Sequence, residues 1–242
     1  MKIISPLLLV AATIAAMPVQ AADISDILKA ADQYRIGTEN MQVETRITTF
    51  AKDGSKEKER SYMVFSQINH QSLVLMQSPA EKGQKVLMLG DDFWMLLPGS
   101  QRPLRITPMQ KLLGDASIGD IATMSWAQDY TGKIIGEEKC GERACLHLSL
   151  NAVRKSVAYQ RIELWLSKNH HEPVKADLFV QSEKLAKQAS FVLDKNEVAE
   201  MVLLDQLSSH KETRVRYVSR KQKTVPEQWL NPMFLAKNPN LE

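Results

Sequence analysis

Five histidines, two cysteines and a few adjacent carboxylates are the side chains of this 242-residue chain best suited to chemistry. The histidines are His70, His147, His170, His171 and His210. Imidazole serves as a general base or metal ligand near neutral pH, but either role needs converging partners. Only "NHHEP" groups potential ligands, with Glu172 beside His170 and His171, and its Asn and Pro mark a solvated turn. The pairs Asp91–Asp92 and Glu137–Glu138 are adjacent in sequence, and adjacent strand residues point to opposite faces. Neither pair converges on one substrate. A nucleophile requires a base and an orienting group, and no such triad stands out. The chain has no HExxH, no GxSxG and no glycine-rich phosphate loop. No catalytic residue, metal or cofactor is expected, and the chain reads as a non-enzyme.

Cys140 and Cys145 lie in "KCGERAC". The four intervening residues include Gly141 and suit a disulfide across a hairpin turn. Zinc normally takes four ligands, and the nearest histidine, His147, lies along the following strand. The compartment follows from residues 1–22. Lys2 precedes the apolar run "LLLVAATIAA", and "MPVQAAD" offers a small-residue cleavage site after Ala21 or Ala22. The run is shorter than the ~20 residues of a spanning helix. A cleaved signal peptide (1–22), a periplasmic location and one domain over 23–242 are expected. The formal charge of +3 argues against nucleic acid as a partner.

The elements that position these residues are mostly strands. Residues 24–36 place Ile24, Ile27, Leu28, Ala31 and Tyr34 at helical intervals, with Asp23 or Ser25 to cap them, which predicts an amphipathic helix. From Met41 onward the apolar period is two. Stretches with strand character recur over 41–51, 60–69, 71–79, 85–90, 91–98 and 103–106. "TPMQKLLG" and "SIGDIATMSW" interrupt them with two short helical stretches, and strands resume from 128 to 220. About eleven antiparallel strands at short, even spacing predict a sandwich or barrel. A short helix is expected around Trp229 to Leu235.

Aromatic residues make up 6% of the chain, yet "DFWMLLP" runs Phe93, Trp94, Met95, Leu96 and Leu97 together. "SLVLMQ" and "KVLMLG" are equally unbroken. A strand with one wet face alternates cleanly; these do not. Both faces must be covered by protein, or one must meet an apolar ligand. Eleven methionines favour the second reading, because flexible thioethers suit adaptable apolar surfaces.

The order of signal peptide, N-terminal helix, "VETRITTFAKDGSKE", "KVLMLGDDFWMLLPGSQRPLRI", helical insert and "YQRIELWLSKNHHEPVKADLF" resembles the LolA-like outer-membrane lipoprotein-sorting superfamily. Trp94 and Pro98 stand in a "W-x-x-x-P" strand, and the likeness covers nearly all of the mature chain. It implies a mainly β (α+β) fold: an incomplete, strongly curved antiparallel barrel with short lid helices over an apolar cavity. It implies a carrier of lipoprotein or lipid acyl chains toward the outer membrane. An inner-membrane transporter and an outer-membrane acceptor would be its partners, and a monomer is expected. Candidate lining residues are Val74, Met76, Met88, Phe93, Trp94, Met95, Leu97, Met109, Leu112, Ile121 and Trp126. Arg102 and Arg105 are candidates for a head-group contact. The family's lid-closing arginine has no counterpart in "SQINHQSLVLMQSP", where Asn69 or His70 stands instead. The alternative is an accessory or sensor subunit of an envelope export complex that uses the same fold to hold a protein segment.

Overall fold

The computed structural model describes residues 23–36, 40–67, 69–106, 120, 125–207 and 211–241. The expected signal peptide, and the helical insert apart from Asp120, Ser125 and Trp126, lie outside them. Helix α1 spans Ile24–Arg35. The Asp23 carboxylate accepts from the Ser25 N–H at 3.1 Å and caps it. Asp26 in the first turn and Arg35 in the last complement the helix dipole. Ile27, Leu28 and Ala31 are buried as expected, and so are Asp32 and Arg35. Tyr34 is only half-buried and donates its hydroxyl to the His170 carbonyl at 3.0 Å.

Among the described residues, thirteen strands form one antiparallel sheet. They are β1 (Met41–Phe50), β2 (Lys56–Gln67), β3 (Gln71–Met76), β4 (Lys85–Leu89), β5 (Asp92–Leu96), β6 (Leu104–Arg105), β7 (Tyr130–Cys140), β8 (Arg143–Ala152), β9 (Arg161–Ser167), β10 (Pro173–Phe179), β11 (Leu185–Asp194), β12 (Glu197–Asp205) and β13 (Glu212–Gln222). The count exceeds the expected eleven: all six stretches read over 41–106 form strands, down to the two residues of β6, and seven more follow from Tyr130. Spatial order runs β6-β5-β4-β3-β2-β1-β13-β12-β11-β10-β9-β8-β7. The sheet is therefore open, with β6 and β7 as its edges.

Its curl can be measured from one side chain. Arg154 follows β8, and Asp91 lies between β4 and β5, about nine strand spacings away in the sheet order. At ~4.8 Å per spacing a flat sheet would separate them by roughly 40 Å. Instead Arg154 Nη1 donates to Asp91 Oδ1 at 2.5 Å, and Nη2 donates to Asp129 Oδ1 at 2.6 Å. Register shifts at six strand pairings mark the bulges that bend strands and add twist. The main apolar cluster lies inside this curl. It joins Val74, Val86, Met88 and Phe93 from one arm with Leu148, Leu150, Ile162 and Leu164 from the other.

Helix α2 (Trp126–Asp129) begins where the expected 117–126 helix would end. Ser125 has extended backbone dihedrals and caps a separate helix, its Oγ accepting from the Gln128 N–H at 3.3 Å. The C-terminal helical stretch also divides. A 3-10 turn over Glu227–Leu230 gives way at Asn231 to α3 (Pro232–Ala236). Asn231 Oδ1 accepts from the Met233 and Phe234 amides, and Pro232 stands at the first helical position.

Between β7 and β8, Cys140 and Cys145 form the expected disulfide with Cα atoms 6.0 Å apart, across a turn where Gly141 has φ +65°. Gly132 in β7 is required for a different reason. A Cβ there would collide with the Ser149 carbonyl oxygen of β8.

Candidate functional site

Two adjacent residue rows show what "DFWMLLP" does. Strand pairing aligns Val43, Val64, Val74, Val86, Met95 and Leu104 across six strands. This row faces the inside of the curl. The neighbouring row is Phe65, Leu73, Leu87, Trp94 and Arg105, on the outside. Over β2–β5 both rows are apolar, because both faces of those strands are used. The outer one is covered by the C-terminal segment, in a second cluster with Val225, Trp229 and Leu235. Phe65 and Trp229 meet edge-on with centroids 5.5 Å apart. Gln67 pins the segment by accepting from the Val225 amide and donating to the Lys223 carbonyl. Lys85 Nζ donates to Asn238 Oδ1 at 2.5 Å, and burial pushes this ammonium's pKa down.

This arrangement sorts the candidate residues. Val74, Met76, Met88, Phe93 and Trp126 are buried in the inner cluster, and Met95 packs against it. Trp94 parts from them, because alternation turns it outward beneath the C-terminal segment. Leu97, just past β5, is 38% exposed. Met109, Leu112 and Ile121 lie outside the described residues. Arg102 is exposed in a turn, where its carbonyl accepts from Ser100 Oγ. Arg105 is exposed and pairs with Asp92. Asn69 and His70 both have positive φ in the β2–β3 turn. His70 Nδ1 lies 3.3 Å from Arg154 Nη2, within the junction that holds the two arms together.

The inner face also carries charge that periodicity did not reveal. The Asp32 carboxylate accepts from Ser125 Oγ at 2.9 Å, the Trp126 amide at 3.0 Å and the Ala127 amide at 2.9 Å. It thereby caps α2 from α1. Burial nevertheless raises its pKa, against the lowering effects of Arg35 and these hydrogen bonds. The Arg35 guanidinium lies 4.0 Å from the Trp126 ring centroid. Deeper in, Asp120 accepts from the Tyr159 hydroxyl at 2.6 Å and from Lys187 Nζ at 2.5 Å. Tyr130 donates to the Tyr159 carbonyl at 2.9 Å, and burial raises its pKa, helped by Asp129. One cue was available for Asp32 and Arg35: they recur at helical spacing from Leu28 and Ala31 on the buried stripe of α1.

His147 on β8 is engaged from both neighbouring strands. Its ring nitrogens contact Glu138 at 2.8 Å and Glu163 at 2.9 Å, and its ring stacks on Trp165 at 4.3 Å. Among the described residues no group of three or more His, Cys, Asp or Glu side chains is placed to hold a metal ion.

The same architecture occurs in known proteins. A LolA superfamily protein from Nitrosomonas europaea is 28% identical and superposes with a TM-score of 0.78, over 87% of this chain and 98% of that one. A family model described only as "Uncharacterized protein" (-like) matches residues 68–237. The chain belongs to that family, and its fold is LolA-like. An outer membrane lipoprotein-sorting protein domain from Vibrio parahaemolyticus shares the LolA-like fold at 16% identity, with a TM-score of 0.70 over 88% of this chain and 97% of that one. A DUF1329 family protein from Desulfovibrio piger does so at 19% identity, with a TM-score of 0.67 over 86% and 95%. No curated protein matches in sequence. Within this LolA-like fold, the inner row from Val43 to Leu104 is the candidate site.

Proposed function

We propose that this chain is a non-catalytic periplasmic carrier, a half-barrel over residues 23–242 that holds acyl chains of lipoproteins or lipids against its inner face. One observation carries the reading. The Val43–Leu104 row crosses six strands and reaches an open edge where Leu104 is 49% exposed, and Ile134 on the opposite edge strand is 41% exposed. Apolar side chains at both margins of an open sheet suit a ligand that enters between them. Val74, Met76, Met88, Phe93 and Met95 would contact the chain, with Trp126 above them. Burying an acyl chain gains ~0.8 kcal/mol per CH₂. A 16-carbon chain therefore gains on the order of 12 kcal/mol before ordering costs, enough to displace side chains that cover this face.

The test compares Phe93→Asp with Trp94→Asp for uptake of a fluorescent fatty acid, each checked for native circular dichroism. Phe93→Asp is expected to abolish uptake. Trp94→Asp, facing the C-terminal segment, is expected to retain it. Native mass spectrometry of wild-type protein purified from its host, before and after delipidation, provides the second measurement. Identical masses together with no fatty-acid uptake would overturn the carrier reading.

A further inference from the structure

Among the described residues, the Trp126 indole Nε1 and the Thr45 hydroxyl Oγ1 are buried hydrogen-bond donors on the inner face that have no partner. Trp126 is 1% exposed and Thr45 is 0% exposed. A buried donor left unmade is costly, and such groups call for a specific explanation. An indole N–H is a donor only, so it cannot satisfy itself by accepting. The surrounding polar groups are engaged: Asp32 with α2, Asp120 with Tyr159 and Lys187, and Tyr130 with Tyr159.

The Trp126 donor is held in place from several sides. Its backbone N–H is bonded to Asp32, the Arg35 guanidinium lies over its ring, and Phe191 meets that ring edge-on with centroids 5.8 Å apart. Thr45 belongs to the same interior. It pairs with Tyr62 on β2 and Tyr217 on β13, and alternation places it on the face of Val43 and Ile47. Burial raises the pKa of the hydroxyl of Tyr217, the β13 partner of Thr45, and the Arg35 charge pulls it back down. The Trp126 donor beneath a guanidinium, with the Thr45 donor on the same face, forms a setting for an oxygen acceptor beside the apolar Val43–Leu104 row.

We infer that the inner face recognises the acyl carbonyl oxygen of its ligand, through the Trp126 indole N–H with the Thr45 hydroxyl as a second donor. This rests on the carrier reading and narrows it from any apolar chain to one bearing a carboxylate or ester. The hydrocarbon tail extends along the Val43–Leu104 row. Free fatty acids and ester-linked acyl groups share the chemistry.

The test measures competition by lauric acid, methyl laurate and dodecane against a fluorescent fatty acid, for wild type, Trp126→Phe and Thr45→Val. Trp126→Phe is expected to weaken binding of the oxygenated ligands about tenfold, equivalent to about 1.4 kcal/mol, with dodecane unchanged. Thr45→Val, nearly isosteric, is expected to weaken the same ligands about threefold. In ¹⁵N-tryptophan spectra the Trp126 indole resonance is expected to move downfield with methyl laurate and not with dodecane. Loss confined to lauric acid assigns the recognised group as a carboxylate, and loss confined to methyl laurate assigns it as an ester. If both variants bind all three ligands like wild type, the carbonyl inference falls while acyl binding stands. If wild type binds none of them, the carrier reading falls and takes the inference with it. Should Trp126→Phe misfold, Thr45→Val and the wild-type indole shift still decide the matter.

Discussion

Replacing Asp32 by alanine tests how the two helices of the inner face depend on each other. The carboxylate accepts three hydrogen bonds, two of them from backbone amides at the start of α2. Bonds to a charged acceptor contribute about 1.5–3 kcal/mol each, and losing a helix N-cap costs about 0.5–2 kcal/mol. Against this stands the burial of the charge, which outweighs Arg35 and the hydrogen bonds, since the carboxyl's pKa remains raised. The lost cap then sets the cost of Asp32→Ala, about 2 kcal/mol at most and well below the sum of the bonds. That is roughly 30-fold in the folding equilibrium, and roughly 4–8 °C in Tm for a chain of this size. Urea unfolding followed by tryptophan fluorescence should show a lower midpoint at unchanged m-value. The Trp126 and Ala127 amides should exchange with deuterium faster than in wild type. The sign of the pH dependence follows from the raised pKa. The folded state holds this proton more tightly than the unfolded chain. The contribution is full below the ordinary aspartate pKa and is lost as pH rises through the folded value. Asp32→Asn should remove that part of the pH dependence. A loss under about 0.5 kcal/mol for Asp32→Ala, with amide exchange unchanged, would refute the capping role.

Arg154→Met removes the clasp between the two arms and leaves buried Asp129 without its guanidinium partner; a loss of about 2–3 kcal/mol is expected by thermal unfolding. Asp91 at the same junction has its pKa lowered by the Ser156 hydrogen bond and by Arg154. Its contribution is present above the ordinary aspartate pKa and is lost as pH falls through the folded value, so Asp91→Asn should flatten the acid side of the stability profile. Gly132→Ala forces a methyl group into the Ser149 carbonyl, and a loss of about 1–3 kcal/mol is expected, read as faster amide exchange along β7 and β8.

The fold was legible because strand alternation is local. Residues 41–106 announce their strands through period two and turn residues, and "KCGERAC" announces its hairpin. The doubly apolar strands were legible as an anomaly only. Whether Phe93 or Trp94 faces inward depends on what packs over each, and the cover of Trp94 comes from Val225 to Leu235, more than 130 positions away. The buried charges were hidden for the same reason. Asp32 and Ser125 are 93 positions apart, and Arg154 and Asp91 are 63 apart. No spacing rule connects them, because the curl of the sheet brings them together. Thr45 and Trp126 look like ordinary strand and helix residues until their surroundings are known. A donor without an acceptor is a property of those surroundings.

The strand order has a consequence for how the chain reaches its native state. Every neighbouring pair in the sheet is also consecutive in sequence except β1 with β13. The molecule is thus two meanders, β1–β6 and β7–β13, welded at one seam. That seam joins Met41 to Gln222 and Phe50 to Glu212. Closing so long a loop is the step that raises contact order and slows folding. The gap in the sheet, by contrast, lies between β6 and β7, which are consecutive. Joining the two ends and opening the chain between β6 and β7 would leave every strand pairing local. Such a circular permutant should zip up faster than the natural chain. The natural order leaves the seam to the last strand synthesised.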